Sequence, residues 1–348
     1  MNHLPQNKHL PIPKLVACFN NTSATYKFYW LLSIIQEVEL NRYLIPKRDL
    51  FAAMIANAWY TINYFHISFG KQDKFQKRIE NIREIESISI DAGKQEILNI
   101  LKTSENKDTL AELKHFNNQV PHWFLSPWFP GDTRSEIYRH SQKFKNLCPY
   151  SLQEDFISIN ILWANYFIEN AALIKDFCYW NLALYLQDKN PNVPDIPNKL
   201  IKPALRNNLT KQRRSFWDVV ISELGSVECI YKKRPLTIGD YAIEHFIPYS
   251  FVSHDLIWNL IPADKSFNSA KRDKLPSMER YFIPFFNLQK KAVKVIREKQ
   301  PRNKFLEDYL SIFPIFDDPD IDFTPAKLKE RIQPLIIIAA NNGFEYMK

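Results

Sequence analysis

Three prolines fall within the eight residues Asn190-Pro191-Asn192-Val193-Pro194-Asp195-Ile196-Pro197. Proline fixes φ and lacks the amide that a helix or a strand ladder requires, so regular structure stops there. The two sides of the break differ in character. Before it, apolar residues recur at helical spacing over long stretches; after it come short alternating runs, an irregular loop and a basic excess. The expected division is a helical N-terminal domain over residues 1–197, a second domain over 198–285 with a compact core at about 227–277, and a helical segment over 286–348. The expected fold class is mainly α, of the α+β type. With 6 glycines against 25 phenylalanines the chain is no low-complexity polymer, and that balance leans towards helix packing.

Within the N-terminal part, residues 1–20 read as a polar, extended lead-in. Asn21, Thr22 and Ser23 offer caps for a helix running to about Asn41, with Phe28, Leu31, Leu32, Ile35 and Val38 as its stripe. Pro46 ends it, and a second helix is expected from about Arg48 to Phe65. The run Tyr26-Lys27-Phe28-Tyr29-Trp30 invites a base-stacking role, but its aromatics fit the helical stripe, which favours the core. Shorter helices are expected near 72–85, 92–103 and 107–117, their charged positions forming solvated faces. Residues Pro121 to Pro130 hold three prolines and four aromatics. That run precludes a regular helix and reads either as a loop pinned to a core or as a platform for nucleobases. Ser151-Leu152-Gln153-Glu154 has the capping-box pattern. It opens an apolar-rich segment reaching about Gln187, with Leu162, Trp163, Phe167, Leu173, Trp180 and Leu184 among its residues. Unbroken, that would be a helix of about 55 Å and the spine of this region.

The formal charge is +8, but its distribution says more. Residues 201–304 carry 20 Lys and Arg against 10 Asp and Glu, which leaves the rest of the chain at −2. A localised basic surface fits a polyanion, and it also fits a solubilising face. The four cysteines stand far apart with no C-x-x-C pair, so neither a disulfide framework nor a zinc ribbon is expected. Residues 1–13 have no apolar signal region and no run reaches the ~18 apolar residues of a membrane span. The expectation is a cytoplasmic protein without a membrane partner.

The chemistry gathers between Cys229 and Ser277. This stretch reads as two short strands, a loop and a short helix, with Glu244 and His245 where the second strand ends, Asn259 in the loop, and Asn268 and Lys271 on the helix. A carboxylate, an imidazole, two amides and an ammonium so placed suit metal-assisted cleavage of a phosphodiester. The runs Glu244-His245-Phe246-Ile247-Pro248, Asn259-Leu260, Asn268-Ser269-Ala270-Lys271 and Leu275-Pro276 resemble the HNH nucleases of the ββα-metal fold. His245 stands 14 residues before Asn259 and 23 before Asn268. The same spacings, and the Pro-x-Ser-Phe run at Pro248 to Phe251, occur in the HNH domain of the RNA-guided CRISPR effector nucleases. The resemblance covers about fifty residues. Glu244 stands where many members have Asp, and Asn268 where many have His.

The resemblance implies His245 as general base, Glu244 and Asn268 as ligands of Mg²⁺ or Mn²⁺, and Asn259 as the residue that holds the loop. Lys271, one helical turn after Asn268, is a candidate for a phosphate. His254-Asp255 is a second polar pair, read mainly as loop structure. Candidate nucleic-acid contacts are Arg206, Lys211, Arg213, Arg214, Lys232, Lys233, Arg234, Arg272 and Lys274. Arg213 and Arg214 lie on a helix expected over 210–224, where phosphate clamping and a plain exposed face are both open readings. Lys232 occupies the position where a C-x-x-C partner of Cys229 would fall, so no structural zinc is expected and the small unit must be braced by packing. Beyond it, a helix over 277–299 with Pro284 as kink or break, then helices near 303–312 and 325–341, complete the chain.

The expected function is a divalent-metal-dependent endonuclease acting on DNA, double-stranded by preference, in bacterial restriction or anti-phage defence. A homo-oligomer or a defence-system partner would fit residues 1–197. The alternatives are an RNase or toxin-like nuclease, a binding module with a decayed site, and an effector whose latent nuclease a ligand or partner switches on.

Overall fold

The stripe through Phe28, Leu31, Leu32, Ile35 and Val38 sits on a helix whose aromatic neighbours Tyr29 and Trp30 are also fully buried, so this element of the core is apolar on nearly every side. The computed structural model describes residues 4–20, 22–201, 208–313 and 316–347. Asn21, Lys202 and Arg206 lie outside the described residues. The protein is 59% helical with small sheets, mainly α. It divides into two compact units, residues 1–191 with 196–202, and residues 203–348 with 192–195.

In the first unit the helices are α1 (Ile12–Ala17), α2 (Tyr26–Glu39), α3 (Lys47–Asn63), α4 (Lys74–Ile85), α5 (Lys94–Thr103), α6 (Lys107–Asn117), α7 (Val120–Trp123), α8 (Arg134–Ser141), α9 (Ile161–Glu169) and α10 (Ala171–Lys189). Helix α3 packs along α2 and buries Leu50, Met54, Ile55, Ala58 and Trp59. Trp30 Nε1 donates to the Tyr150 hydroxyl at 2.9 Å, and that hydroxyl donates to the Pro121 carbonyl at 2.7 Å. This buried relay pins the proline-rich run to the core. Phe124, Trp128 and Phe129 from that run are buried at 0, 0 and 3% exposure, whereas Trp123 remains 47% exposed. The run also contains one helical turn, α7, which tolerates Pro121 because first-turn amides have no intrahelical partner.

The expected 55 Å helix is not there. Ser151 lies in strand β2 (Tyr150–Leu152), which pairs antiparallel with β3 (Phe156–Ile159), itself paired with β1 (Leu44–Pro46). The run Phe156-Ile157-Ser158-Ile159 alternates half-buried and buried, the period of a strand. The helical start lies instead at Asn160, whose side chain accepts from the Leu162 amide at 3.0 Å. A break at Asn170 separates α9 from α10. Leu162, Leu173, Trp180 and Leu184 face outward at 45–55% exposure, so this segment is no buried spine on all sides.

The second unit opens with α11 (Thr210–Gln212), a π-helical turn at Arg213–Trp217, and α12 (Asp218–Leu224). A hairpin of β4 (Val227–Glu228) and β5 (Pro235–Leu236) leads to the antiparallel pair β6 (Ala242–His245) and β7 (Leu260–Ala263), in register Glu244↔Ile261 and His245↔Leu260. Between those two strands lie the short α13 (Tyr249–Val252) and a 3₁₀ turn at Ile257–Asn259. Helix α14 (Lys265–Lys271) follows β7 directly. The sequence places both strands before the loop, but the pair has one strand on each side of it. All four residues of β7 are buried, so no alternation marks it as a strand.

Helix α15 (Met278–Lys299) continues through Pro284 without ending, and α16 (Pro319–Asp322) and α17 (Pro325–Asn341) complete the unit. Residues 304–311 form a 3₁₀ helix. The brace for the strand pair comes from these elements. Phe246 stacks on Phe285 at 4.0 Å, and the buried Gln289 amide donates to the carbonyls of Ile257 at 3.1 Å and Leu260 at 2.8 Å. Asp308 accepts from the Ile257 amide and Ser311 from the Trp258 indole. Among the described residues, no helix is long and apolar enough to cross a membrane.

Candidate active site

Successive side chains on a strand leave opposite faces. At the end of β6 this sends Glu244 and His245 to different neighbours, both buried, at 4 and 5% exposure. Glu244 meets α14, where Lys271 Nζ lies 2.5 Å from Glu244 Oε1. His245 meets the loop, where its Nε2 lies 2.9 Å from Asp255 Oδ1. The two halves are tied together, because Lys271 Nζ also donates to the His245 carbonyl at 2.9 Å. Lys271 is 2% exposed, so its charge is held inside by a carboxylate and a carbonyl.

Asn259 closes the loop from beneath. Its Oδ1 accepts from the Ile247 amide and its Nδ2 donates to the Ile247 carbonyl, both at 2.8 Å, and the Phe246 amide donates to the Asn259 carbonyl. With no exposure at all, this amide satisfies both backbone groups of Ile247, in the turn that follows His245. Asn268 is half-buried on α14, one turn before Lys271. The helix is set by Asp264, whose Oδ1 accepts from the Phe267 amide and the Ser266 hydroxyl. Those bonds, the Ser266 hydroxyl first, then the Phe267 amide, then Arg234, hold the Asp264 carboxyl well below the usual carboxylate range.

Asp255 is the site residue that sequence reasoning passed over as loop structure. One signal was present: it is the only acid between His245 and Asn259. Its neighbour His254 turns away, its ring 5.3 Å from that of Trp258. Tyr231 is a second late arrival. It stacks on Phe267 at 4.2 Å, and its hydroxyl is pushed well above the ordinary tyrosine value, by burial first and by the Glu244 charge second.

The donor chemistry suits a hard divalent cation. Glu244 already has one ammonium at ion-pair distance, so its side chain is aimed at a positive group. Among the described residues, no three His, Cys, Asp or Glu side chains group as a full metal cage. A cation would have Glu244 and the Asn268 amide oxygen as protein donors, with water and phosphate oxygens for the rest, as Mg²⁺ commonly does.

The basic candidates divide. Lys211, Arg214, Lys232 and Arg272 are exposed; Lys233 is exposed and lies 3.5 Å from Glu228; Lys274 is half-buried. Arg213 donates to the Tyr241 carbonyl at 3.1 Å and lies over its ring at 4.9 Å. Arg234 bridges Asp240 at 2.8 Å and Asp264 at 2.6 Å, tying the β4–β5 hairpin to the start of α14.

Comparison with known proteins points to the same stretch of the chain. Residues 229–277 match the family model described as HNH endonuclease. No curated protein and no solved structure matches the chain. Residues 229–277, the segment that holds Glu244, His245, Asp255, Asn259, Asn268 and Lys271, are therefore where this chain is similar to the HNH endonucleases.

Proposed function

We propose that this protein is a divalent-metal-dependent endonuclease that hydrolyses DNA by attack of water, leaving 5′-phosphate and 3′-hydroxyl ends, in a bacterial restriction or anti-phage role. The observation that carries the reading is the pairing at one strand end: an imidazole bonded to a carboxylate, next in sequence to a second carboxylate paired with the Lys271 ammonium. His245 accepts the proton of the attacking water. Asp255 fixes the ring through Nε2, so that the other ring nitrogen, Nδ1, is the one to take that proton. Asn259 keeps the backbone after His245 in place. Glu244 and Asn268 would hold the cation, which when bound would supply charge neutralisation on the phosphoryl group and at the leaving oxygen. Lys271 balances Glu244 from the protein side. The exposed lysines and arginines of residues 211–274 hold the phosphate backbone, and the first unit supplies target choice, a partner surface or self-association.

The deciding experiment is plasmid cleavage with Mg²⁺ and with Mn²⁺, wild type beside His245→Ala, with single- and double-stranded DNA and RNA digested in parallel. Cleavage of duplex DNA that falls by about 10²–10⁴-fold in the variant is the expected result. Equal cleavage by both proteins would remove His245 from the mechanism, and digestion of RNA alone would replace the substrate.

A further inference from the structure

The first unit contains a cavity of about 480 Å³ that the nuclease reading does not use. Small-ligand sites run roughly from 300 to 1,000 Å³, so it is large enough for a ligand of modest size. It opens where two helices begin, with Lys27 in the first turn of α2 and Lys74 at the start of α4. His115, from the end of α6, and Trp123, from α7, complete its wall. The described lining holds these cationic or protonatable groups and no carboxylate.

Two features mark it as a site for an anion. Lys27 is half-buried, and burial lowers its pKa, yet among the described residues its ammonium has no ion-pair or hydrogen-bond partner. The second is Lys74, an exposed ammonium in the same lining, beside a His115 imidazole that burial above all holds below its ordinary value. The nearest acids are engaged elsewhere. Asp73 accepts from the Thr25 amide, the Thr25 hydroxyl and the Phe75 amide, and Glu112 binds Arg78 at 2.7 Å.

A third feature adds a flat apolar partner. Trp123 is 47% exposed, whereas the other three aromatics of its proline-rich run are buried. An exposed indole at the rim of a cationic cavity offers a stacking face for a planar heterocycle, and the Gln72 and Gln119 amides beside it can pair with polar ring edges. An anion and a planar heterocycle in one small molecule describe a nucleotide. We propose that this cavity binds a small nucleotide, with its phosphate on Lys27 and Lys74 and its base on Trp123.

Isothermal titration of the full-length protein in EDTA tests this, with AMP, GMP, CMP and UMP as probes, beside adenosine and inorganic phosphate. We expect one-site binding of at least one nucleotide, with its nucleoside and phosphate each weaker by about tenfold or more. Lys74→Ala and Trp123→Ala should each weaken binding by about fivefold or more, and Trp123→Phe should restore most of it. Both side chains are exposed, so melting curves of the variants should match wild type. Lys329→Ala, exposed in the other unit, should leave nucleotide binding unchanged. Three results would overturn the proposal: no saturable binding of any nucleotide up to about 5 mM, binding that Lys74→Ala and Trp123→Ala leave intact, or inorganic phosphate binding as tightly as the nucleotide. A strong preference for a tetranucleotide over every monomer would assign the cavity to a nucleic-acid strand and overturn it as well.

Discussion

Buried ion pairs are poor sources of net stability, because desolvation offsets the attraction, but removing one partner is costly. Glu244 and Lys271 are such a pair, at 6 and 0% side-chain exposure. Lys271→Met should cost about 3–5 kcal/mol, since it takes the buried ammonium away from a buried carboxylate. If Glu244 is also a metal position, a divalent cation replaces what the lysine supplied, so Mg²⁺ should raise the melting temperature of Lys271→Met by more than that of wild type. Equal Mg²⁺ responses in the two proteins would take the metal away from Glu244. Asp255 belongs to the same scale. It does not reach the reacting atoms except through His245, so Asp255→Asn should lower kcat by about 10–100-fold with KM unchanged. A rise in KM at constant kcat would place Asp255 in substrate binding instead.

At the scale of elements, the loop between β6 and β7 is held from two sides, by Asn259 within it and by Gln289 on α15. Gln289→Leu keeps the shape but strands the Ile257 and Leu260 carbonyls and the Tyr309 hydroxyl, all bonded to that amide. The expected cost is about 2–4 kcal/mol in urea unfolding, with a parallel loss of cleavage. Unchanged stability would mean that the loop does not depend on α15. This bracing explains what the sequence could and could not disclose. Helices α3 to α6 were legible because their apolar residues recur at helical spacing and their ends carry ordinary caps or breaks. The β6 end was legible through the Glu244-His245 pair and its spacing to Asn259 and Asn268. Strand β7 was not, because Leu260, Ile261, Pro262 and Ala263 are all buried and show no alternation. Ser151 through Glu154 misled for a different reason: a capping box is only four residues long, and here the ladder from Ser151 to Ser158 won. Asp255 was hidden because a contact ten residues away across a loop has no periodic signature.

At the scale of the whole molecule, the charge excess is the property that a polyanion would read. Residues 201–304 carry +10 in a chain of +8, yet their basic side chains are not equivalent. Arg213 and Arg234 are committed to internal bonds, whereas Lys211, Arg214 and Lys232 are exposed. Replacing the three exposed residues together with Glu should leave the fold intact and weaken DNA binding across all sequences. Each lost phosphate contact flattens the dependence of log K on log salt by about 0.9, so the slope should drop by about 2–3. Arg234→Glu should behave differently, because it sets a carboxylate against Asp240 and Asp264 and releases the start of α14. Its loss of binding should come with a lower melting temperature and little change in the salt slope of the protein that remains folded. A triple variant with wild-type affinity and slope would move the polyanion surface away from residues 211–232, and the same titrations on Arg272→Glu with Lys274→Glu would then show whether it lies beyond the end of α14.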